Sequence, residues 1–212
     1  SDHATDSPGK VLRGISDIRR FFHRNTEPVY FVSATPFNLL GMDEWIRGFM
    51  FINAIDCFDA QHPNVVVPPE HPHEPFTSIE DINNYLLAHE DIAELVKRRG
   101  PGGKAVFLMF DEQTEQLCER LGLEVCFPSA ELRNAIDDKV ETTRIADRAG
   151  VPSVPNVLGK VDSYESLREL SRSLGTDLVI QTAYGDSGHT TFFVSNETEF
   201  DRHAKDITEA PE

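Results

Sequence analysis

The first part of the chain alternates short apolar runs with amphipathic segments. The runs at 28–34, 64–69, 104–110 and 123–128 are rich in β-branched or aromatic residues and are mostly bounded by Pro or Gly, which predicts buried strands. Segments with helical spacing lie between them. Because strands that alternate with helices usually pair in parallel, the pattern up to about residue 128 predicts a mainly parallel α/β sheet.

Amphipathic spacing indicates helices at three places in this part. The segment 77–100 reads as one helix, because Thr77 and Glu80 match a capping box and Gly100 suits its end. Another helix covers 111–122, whereas the aromatic-rich segment 45–58 fits a helix or a strand equally well. An N-terminal helix would carry on one face Val11, Leu12, Ile15, Ile18, Phe21 and Phe22.

After Pro128 the rhythm changes, which predicts a second, smaller domain of α+β type. We therefore divide the chain into domains 1–128 and 129–212, and we expect the second to be incomplete, since one helix after a two-stranded hairpin gives it little to pack on. This domain is predicted to begin with a short helical turn and a helix ending at Gly150, followed by a proline-marked stretch, 151–161, that leads into a strand. The next helix has a capping box at Asp162 and Glu165 and ends at Gly175. Two strands within 177–194 and a helix capped by Asn196 complete the prediction.

Charge and composition exclude several classes of protein. Thirty-six acidic against 20 basic side chains give a formal net charge of −16 and no basic stripe, so a nucleic-acid partner is not expected. The apolar runs are too short to span a membrane, and the three cysteines lack zinc spacing. A soluble, cytoplasmic protein with reduced, mostly buried thiols fits these features.

A metal site is considered at 70–74 and rejected. His71 and His73 with Glu70 and Glu74 supply ligand types, but prolines between them fix an exposed, extended loop and no second ligand set is evident. We predict no metal ligands in this chain.

The stretch "DLVIQTAYGDSGHTTFFV" (177–194) carries the strongest candidate chemistry. It reads as strand, glycine-spaced loop and strand, and Gly185 and Gly188 would let successive backbone N–H groups converge on an anion such as a phosphate. Ser187, Thr190 and Thr191 add hydroxyl donors at the same place. A long polar hairpin with nothing bound is the alternative for a G-x-x-G pattern standing alone.

Two further side chains of this loop have open roles. His189 either donates a hydrogen bond to a phosphate or faces water. Asp186 would repel a phosphate unless it points away, and shaping the turn through its own backbone is its expected role.

The context of the loop resembles the ATP-grasp superfamily, the ATP-dependent ligases that include biotin carboxylase. In that superfamily a lysine precedes a helix ending in a Gly-Val-Pro motif, which is matched here by Lys139 and "RAGVP" (148–152). A strand then leads into a glycine-rich loop that closes over the ATP phosphates, as 177–194 would. The first domain resembles the Rossmann-like pre-ATP-grasp domain, and biotin carboxylase-like members are the most similar.

The resemblance implies a ligase that uses MgATP to phosphorylate a carboxylate and captures the acyl phosphate with an amine or a related nucleophile. Lys139 would contact the phosphates, and Gly185 to Thr191 would cover them. The chain departs from the family at Gln181, which stands where a second lysine is expected and offers only a neutral amide. The family's magnesium ligands fall outside this chain.

Other readings stay open beside the ligase. A non-catalytic ATP-grasp-like module that binds a nucleotide or a protein partner is the alternative, and Gln181 favours it. A dinucleotide-binding fold is weakened because no G-x-G-x-x-G follows a predicted strand. The resemblance also leaves a homo-oligomer open, and it points to Thr35 and Asn38, after the first strand, as polar groups that could contact the acceptor substrate.

Overall fold

The structure is a computed structural model that describes residues 11, 13–70, 72–185 and 188–210. The chain forms two compact units, and the division lies between Ala130 and Glu131. No helix in the described residues is long and apolar enough to cross a membrane.

The first unit is built on a parallel five-stranded sheet. Its strands follow the order β3-β2-β1-β4-β5, and every neighbouring pair is parallel. This order confirms the predicted α/β fold with a mainly parallel, Rossmann-like sheet. The elements are α1 (Ile15–His23), β1 (Val29–Ser33), α2 (Met42–Trp45), β2 (Phe49–Asn53), β3 (Val65–Val66), α3 (Ile79–Ala88), α4 (Glu90–Arg99), β4 (Lys104–Val106), α5 (Glu112–Leu121) and β5 (Glu124–Val125).

The central strands explain why this sheet forms. All five residues of β1 are buried, as expected for a strand covered by helices on both faces. The ambiguous segment 45–58 contributes β2, which pairs with β1 from Val29 and Phe49 onward. Gly48 precedes β2 with a φ of +83°, and a Cβ there would lie 3.1 Å from the carbonyl oxygen of Glu27. The positive φ and the close carbonyl together favour glycine at this position.

The segment 77–100 differs from its prediction as a single helix. His89 adopts an extended backbone, ends α3 and begins α4, and its Nδ1 accepts a hydrogen bond from the N–H of Asp91. The cap of α3 also lies one residue later than predicted. Ser78, rather than Thr77, accepts from the backbone N–H of Asp81, at 3.0 Å.

The N-terminal helix and the thiols also differ from their predictions. Gly14 has an extended backbone, so α1 begins only at Ile15 and leaves Val11 outside it, while Leu12 lies outside the described residues. Of the three free cysteines, Cys118 is buried but Cys57 and Cys126 are exposed, so the expectation of mostly buried thiols is wrong.

The second unit packs helices against an antiparallel hairpin, which agrees with the predicted α+β type. Strands β6 and β7 pair from Leu178 and Val194 to Gln181 and Thr191. Buried apolar side chains of the hairpin, α8 and α9 form its core: Leu167, Leu178, Phe192, Val194, Phe200 and Ile207. The elements are α6 (Ala130–Asp137), α7 (Lys139–Arg148), α8 (Tyr164–Leu170), β6 (Leu178–Gln181), β7 (Thr191–Val194) and α9 (Glu197–Thr208).

The expected strand, the cap and end of α8 and the length of α6 differ from their predictions, whereas the two strands within 177–194 and the cap of α9 are confirmed. The expected strand after 151–161 is absent from residues 151–177, all of which are described; prolines in the stretch that leads to it lack the N–H that a ladder needs. The capping box of α8 joins Ser163 to Ser166, rather than Asp162 to Glu165, and the helix ends at Leu170, before Gly175. Instead of a short turn, α6 is a helix of eight residues. Asn196 caps α9 as predicted.

Candidate functional site

Lys139 lies beside the loop that follows β6, although 46 residues separate it from Gly185. Asp138 caps α7 by accepting from the N–H of Val140 at 2.8 Å, which fixes the first turn. The backbone N–H of Lys139 donates to the carbonyl of Ala183 at 2.9 Å. Its Nζ donates to the carbonyl of Gly185 at 2.7 Å. Both ends of Lys139 are therefore held against the start of the loop.

Gln181 occupies the outer face of the hairpin. Successive side chains of a strand point to opposite faces, so Leu178 and Ile180 pack on the core of the unit while Val179 and Gln181 face outward. The Nε2 of Gln181 donates to the Oγ1 of Thr191, its partner on β7, at 3.3 Å. The amide and the hydroxyl thus form one polar pair at the end of the hairpin next to the loop.

The loop itself is closed by backbone hydrogen bonds. The N–H of Thr182 donates to the carbonyl of Thr190 at 3.3 Å, and that of Thr191 to the carbonyl of Gly188 at 3.1 Å. Gly185 has a φ of +145°, and a Cβ there would lie 2.1 Å from the Oγ1 of Thr190. The close approach of Thr190 explains why residue 185 is glycine.

Part of the predicted phosphate cradle falls outside what the structure covers. Asp186 and Ser187 lie outside the described residues, so their predicted roles stay predictions. Gly188 has a φ of +78° and His189 is exposed.

A cavity of about 380 Å³ brings Lys139, Gln181 and Gly185 together. Thr142 and Thr143, one turn into α7, complete its wall with Ile136 and Asp137. The threonines were missed in the sequence, although their spacing of three and four from Lys139 places them on the same helix face. Their hydroxyls donate to the carbonyls of Asp138 and Lys139 at 2.9 and 2.7 Å.

Gln181 also lines a second cavity, of about 410 Å³. Arg144 of α7 and Lys160 line this cavity, and Asp138 is its one acidic lining residue among those described. The described lining of the two cavities therefore contains three cationic side chains and two carboxylates, in a chain whose net charge is −16.

The polar groups predicted in the first unit both lie in the loop that follows β1. Thr35 follows β1, and its Oγ1 accepts from the N–H of Phe37 at 3.2 Å, which gives it a role in the turn. Asn38 is exposed in the same loop.

Within the described ranges there is no group of three His, Cys, Asp or Glu side chains that could hold a metal ion. His71, one of the residues considered for a metal, lies outside those ranges.

Comparison with known proteins gives partial matches to carboxylases. No family model matches the chain. It is 31% identical to pyruvate carboxylase of Schizosaccharomyces pombe over 107 residues, which are 48% of this chain and 9% of that protein. It is 27% identical to the 2-oxoglutarate carboxylase small subunit of Hydrogenobacter thermophilus over 130 residues, 59% of this chain and 27% of the subunit. The chain thus spans only a small part of these relatives.

Solved structures share the fold over most of the chain. The biotin carboxylase domain of the Hydrogenobacter thermophilus 2-oxoglutarate carboxylase, a dimer in complex with MgADP, ADP and bicarbonate, matches with a TM-score of 0.55 and 17% identity over 82% of this chain and 39% of that one. Carboxyaminoimidazole ribonucleotide synthase from Aspergillus clavatus, complexed with ATP, matches with a TM-score of 0.52 and 11% identity over 88% and 46%.

In sequence over about half of its length, and in fold over most of it, the chain is similar to biotin carboxylases and other ATP-grasp ligases.

Proposed function

We propose that this chain is the nucleotide-binding part of an ATP-grasp ligase, which activates a carboxylate as an acyl phosphate and transfers the acyl group to an amine or a related nucleophile. The observation that carries the proposal is the position of Lys139. Its Nζ lies 2.7 Å from the carbonyl oxygen of Gly185, at the start of the glycine-spaced loop. A cation and a loop suited to anions therefore meet at one cavity, as phosphate binding requires.

Each residue of the proposed site has a distinct task. Lys139 would exchange its carbonyl partner for an anionic phosphate oxygen, so that donor and acceptor would both be charged and the hydrogen bond would be stronger. The Gly185 to Thr191 loop, with Ser187, Gly188, His189 and Thr190, would cover the phosphates, and Asp186 would shape its turn. Gln181 would donate its amide hydrogens from the outer face of the hairpin, next to Thr191.

The donor set fits the phosphates of ATP. An ammonium, an amide, hydroxyls and loop N–H groups all donate to phosphate oxygens, whereas the described residues contain no group of three metal-ligating side chains. Bound ATP would supply the phosphoryl group, and Mg²⁺ would supply charge neutralisation at the phosphates.

The relatives suggest what to test as substrates and assembly. Bicarbonate is the carboxylate we would try first, because it is bound in the matching 2-oxoglutarate carboxylase structure. That structure is also a dimer, so a homo-oligomer is part of the proposal. We further assign the unit up to Ala130 to a pre-ATP-grasp domain and the unit from Glu131 to the first part of an ATP-grasp domain, in a cytoplasmic protein.

The test is calorimetric titration of MgATP into the chain and into Lys139→Met. Lys139 lines the cavity, so we expect at least a tenfold weaker affinity, about 1.4 kcal/mol, for loss of one charged hydrogen bond. Lys205→Met is the matched control, because Lys205 is an exposed lysine of α9 that lines neither cavity beside Gln181. Saturable binding that both variants retain equally would contradict the assigned site.

The second candidate is an ATP-grasp-like module that binds a nucleotide, or only a protein partner, without catalysis. The observation that favours it is Gln181, a neutral group where the family carries a lysine. The full-length protein distinguishes the two: release of ADP that depends on bicarbonate or another carboxylate supports the ligase, and MgATP binding without any turnover supports the module.

A further inference from the structure

The first unit contains a separate cavity of about 440 Å³ at the carboxyl ends of β1 and β2. Its floor is made of small side chains that directly follow these strands, Ala34 and Ala54. Open α/β sheets bind ligands at this edge, where loops replace the ladder. Neither Thr35 nor Asn38 is among its described lining residues, so the cavity is distinct from the groups singled out in the sequence.

The walls of the cavity are aromatic and held in place. Phe76 and Tyr85 line it, with ring centroids 5.5 Å apart in an edge-to-face arrangement. The hydroxyl of Tyr85 donates to the backbone carbonyl of Glu70 at 2.7 Å. This bond ties the loop after β3 to α3, so the cavity is preformed by contacts within the unit.

The charged groups at the cavity are carboxylates. Asp56 and Glu70 line it, and none of its described lining residues is Lys, Arg or His. The Asp56 carboxylate accepts backbone hydrogen bonds from Phe58 at 2.9 Å and Ala60 at 2.7 Å, which hold it in the loop after β2. An anionic ligand would meet repulsion here, whereas a cation would be attracted by the carboxylates and by the faces of the rings.

We propose that this cavity binds a small ligand that joins a protonated amine to an aromatic or apolar body. The body packs on the wall that Phe76 and Tyr85 form together and on the small side chains of Ala34 and Ala54, and the ammonium group is placed toward Glu70 and Asp56. The proposal concerns the first unit alone and holds whether or not the second unit binds a nucleotide. If the ligase function also holds, an amine of this kind is the class of acceptor to test.

Benzylamine, benzyl alcohol and benzoate are matched probes, because they share a ring and differ in charge. Titration of each into the ¹⁵N-labelled chain at about pH 8 keeps unperturbed histidines neutral. We expect saturable shifts of the backbone amides of Ala34, Ala54, Phe76 and Tyr85 with benzylamine. Benzyl alcohol should bind roughly fivefold more weakly or worse, and benzoate should not bind.

Glu70→Gln and Glu74→Gln separate a built site from a general acidic field. Both glutamates lie in the loop after β3 and are exposed, but only Glu70 lines the cavity. Glu70→Gln should weaken benzylamine binding roughly fivefold, and Glu74→Gln should leave it unchanged. Equal binding of benzylamine and benzyl alcohol, binding of benzoate, or equal losses in the two variants would each overturn the proposal.

Discussion

The two units differ in how their sheets are covered. In the first, β1 is buried along its whole length, and Phe31 and Phe51 pack edge to face with ring centroids 6.2 Å apart. In the second, the hairpin buries one face against α8 and α9, while its other face leaves Val179 59% and Phe193 71% exposed. Phenylalanine and valine side chains are therefore buried on both faces of the first sheet but exposed on one face of the hairpin.

The difference separates the residues that determine stability from those suited to binding. A strand covered on both sides contributes mainly hydrophobic burial, so changes in it lower the free energy of unfolding. A hairpin with one open face keeps Gln181 and Thr191 accessible to a ligand. Substitutions on that face should change binding with little effect on stability, and this expectation can be tested by experiment.

The largest expected effect comes from two matched phenylalanine substitutions. Phe31→Ala removes a side chain with no exposed surface and should lower the free energy of unfolding by about 3–5 kcal/mol. Phe193→Ala removes the same atoms from a mostly exposed position and should change it by less than about 0.5 kcal/mol. Urea unfolding followed by circular dichroism measures both. Equal losses would mean that the outer face of the hairpin is covered in solution.

A smaller loss of stability is expected when either glycine of the loop is replaced by alanine. In Gly185→Ala the new Cβ would lie 2.7 Å from the Cβ of Thr190, so the hairpin should lose about 1–3 kcal/mol. In Gly188→Ala no heavy atom lies within 4 Å, and only the φ of +78° opposes the change, for about 1 kcal/mol. The Thr182 amide donates a hydrogen bond to the carbonyl of Thr190, so its rate of hydrogen exchange measures how often the loop end of the hairpin opens.

A double variant tests the cause of that difference. Gly185→Ala combined with Thr190→Gly removes the clashing side chain, so exchange of the Thr182 amide should slow again relative to Gly185→Ala alone. If the double variant exchanges as fast as the single one, backbone strain at Gly185, rather than contact with Thr190, is the reason for glycine.

Helix caps extend the comparison, since the described residues of each unit contain a capping box built from side chains. In the first unit, Asp111 accepts from the N–H of Thr114 at 2.9 Å and from the amide of Asn84 at 3.1 Å. In the second, Ser163 and Ser166 cap α8 at an exposed position. Asp111→Ala should lower the free energy of unfolding by about 1–2 kcal/mol and Ser163→Ala by about 0.5–1 kcal/mol. Denaturant unfolding measures both changes.

The Asp111 cap also predicts a dependence on pH. Partial burial raises the pKa of Asp111, but hydrogen bonds from Thr114 and Asn84 outweigh it and leave that pKa below its ordinary value. A lowered pKa means that the ionised cap stabilises the fold above about pH 4, and that this contribution is lost as the pH falls further, through the folded-state pKa. Asp111→Asn, which keeps a capping oxygen, should weaken the decline in stability below about pH 4. An unchanged decline would contradict a stabilising role of the charge.

Much of the fold follows from local patterns, and the errors have physical reasons. The buried runs at 28–34 and 104–110 give β1 and β4, because continuous apolar segments suit a sheet covered on both faces. The break at His89 was missed because the apolar spacing of α3 continues into α4, so only the capping bond to Asp91 marks it. The strand expected after 151–161 failed because periodicity does not tell whether a partner is available to complete a ladder.

The candidate site could be predicted less well than the fold from local sequence patterns. Its central contact joins Lys139 to Gly185 across 46 residues, and no local pattern encodes a separation of that size. The resemblance to ATP-grasp ligases, rather than periodicity, indicated the pair. Thr142 and Thr143 could have been found from helical spacing once Lys139 was chosen.

The smallest change in the free energy of unfolding is expected for Gln181→Lys, because this substitution alters only the exposed face of the hairpin. Gln181 is exposed and its amide bonds only Thr191 among the described residues, at 3.3 Å, so the free energy of unfolding should change by less than about 0.5 kcal/mol. A charged donor exceeds a neutral one by about 1 kcal/mol, reduced here by solvent, so MgATP should bind roughly threefold more tightly. Val179→Lys, two residues earlier on the same outward face, controls for charge alone. A higher affinity for MgATP in Gln181→Lys alone would mean that the phosphates bind beside residue 181. An equal increase in both variants would mean that long-range charge attraction explains the effect.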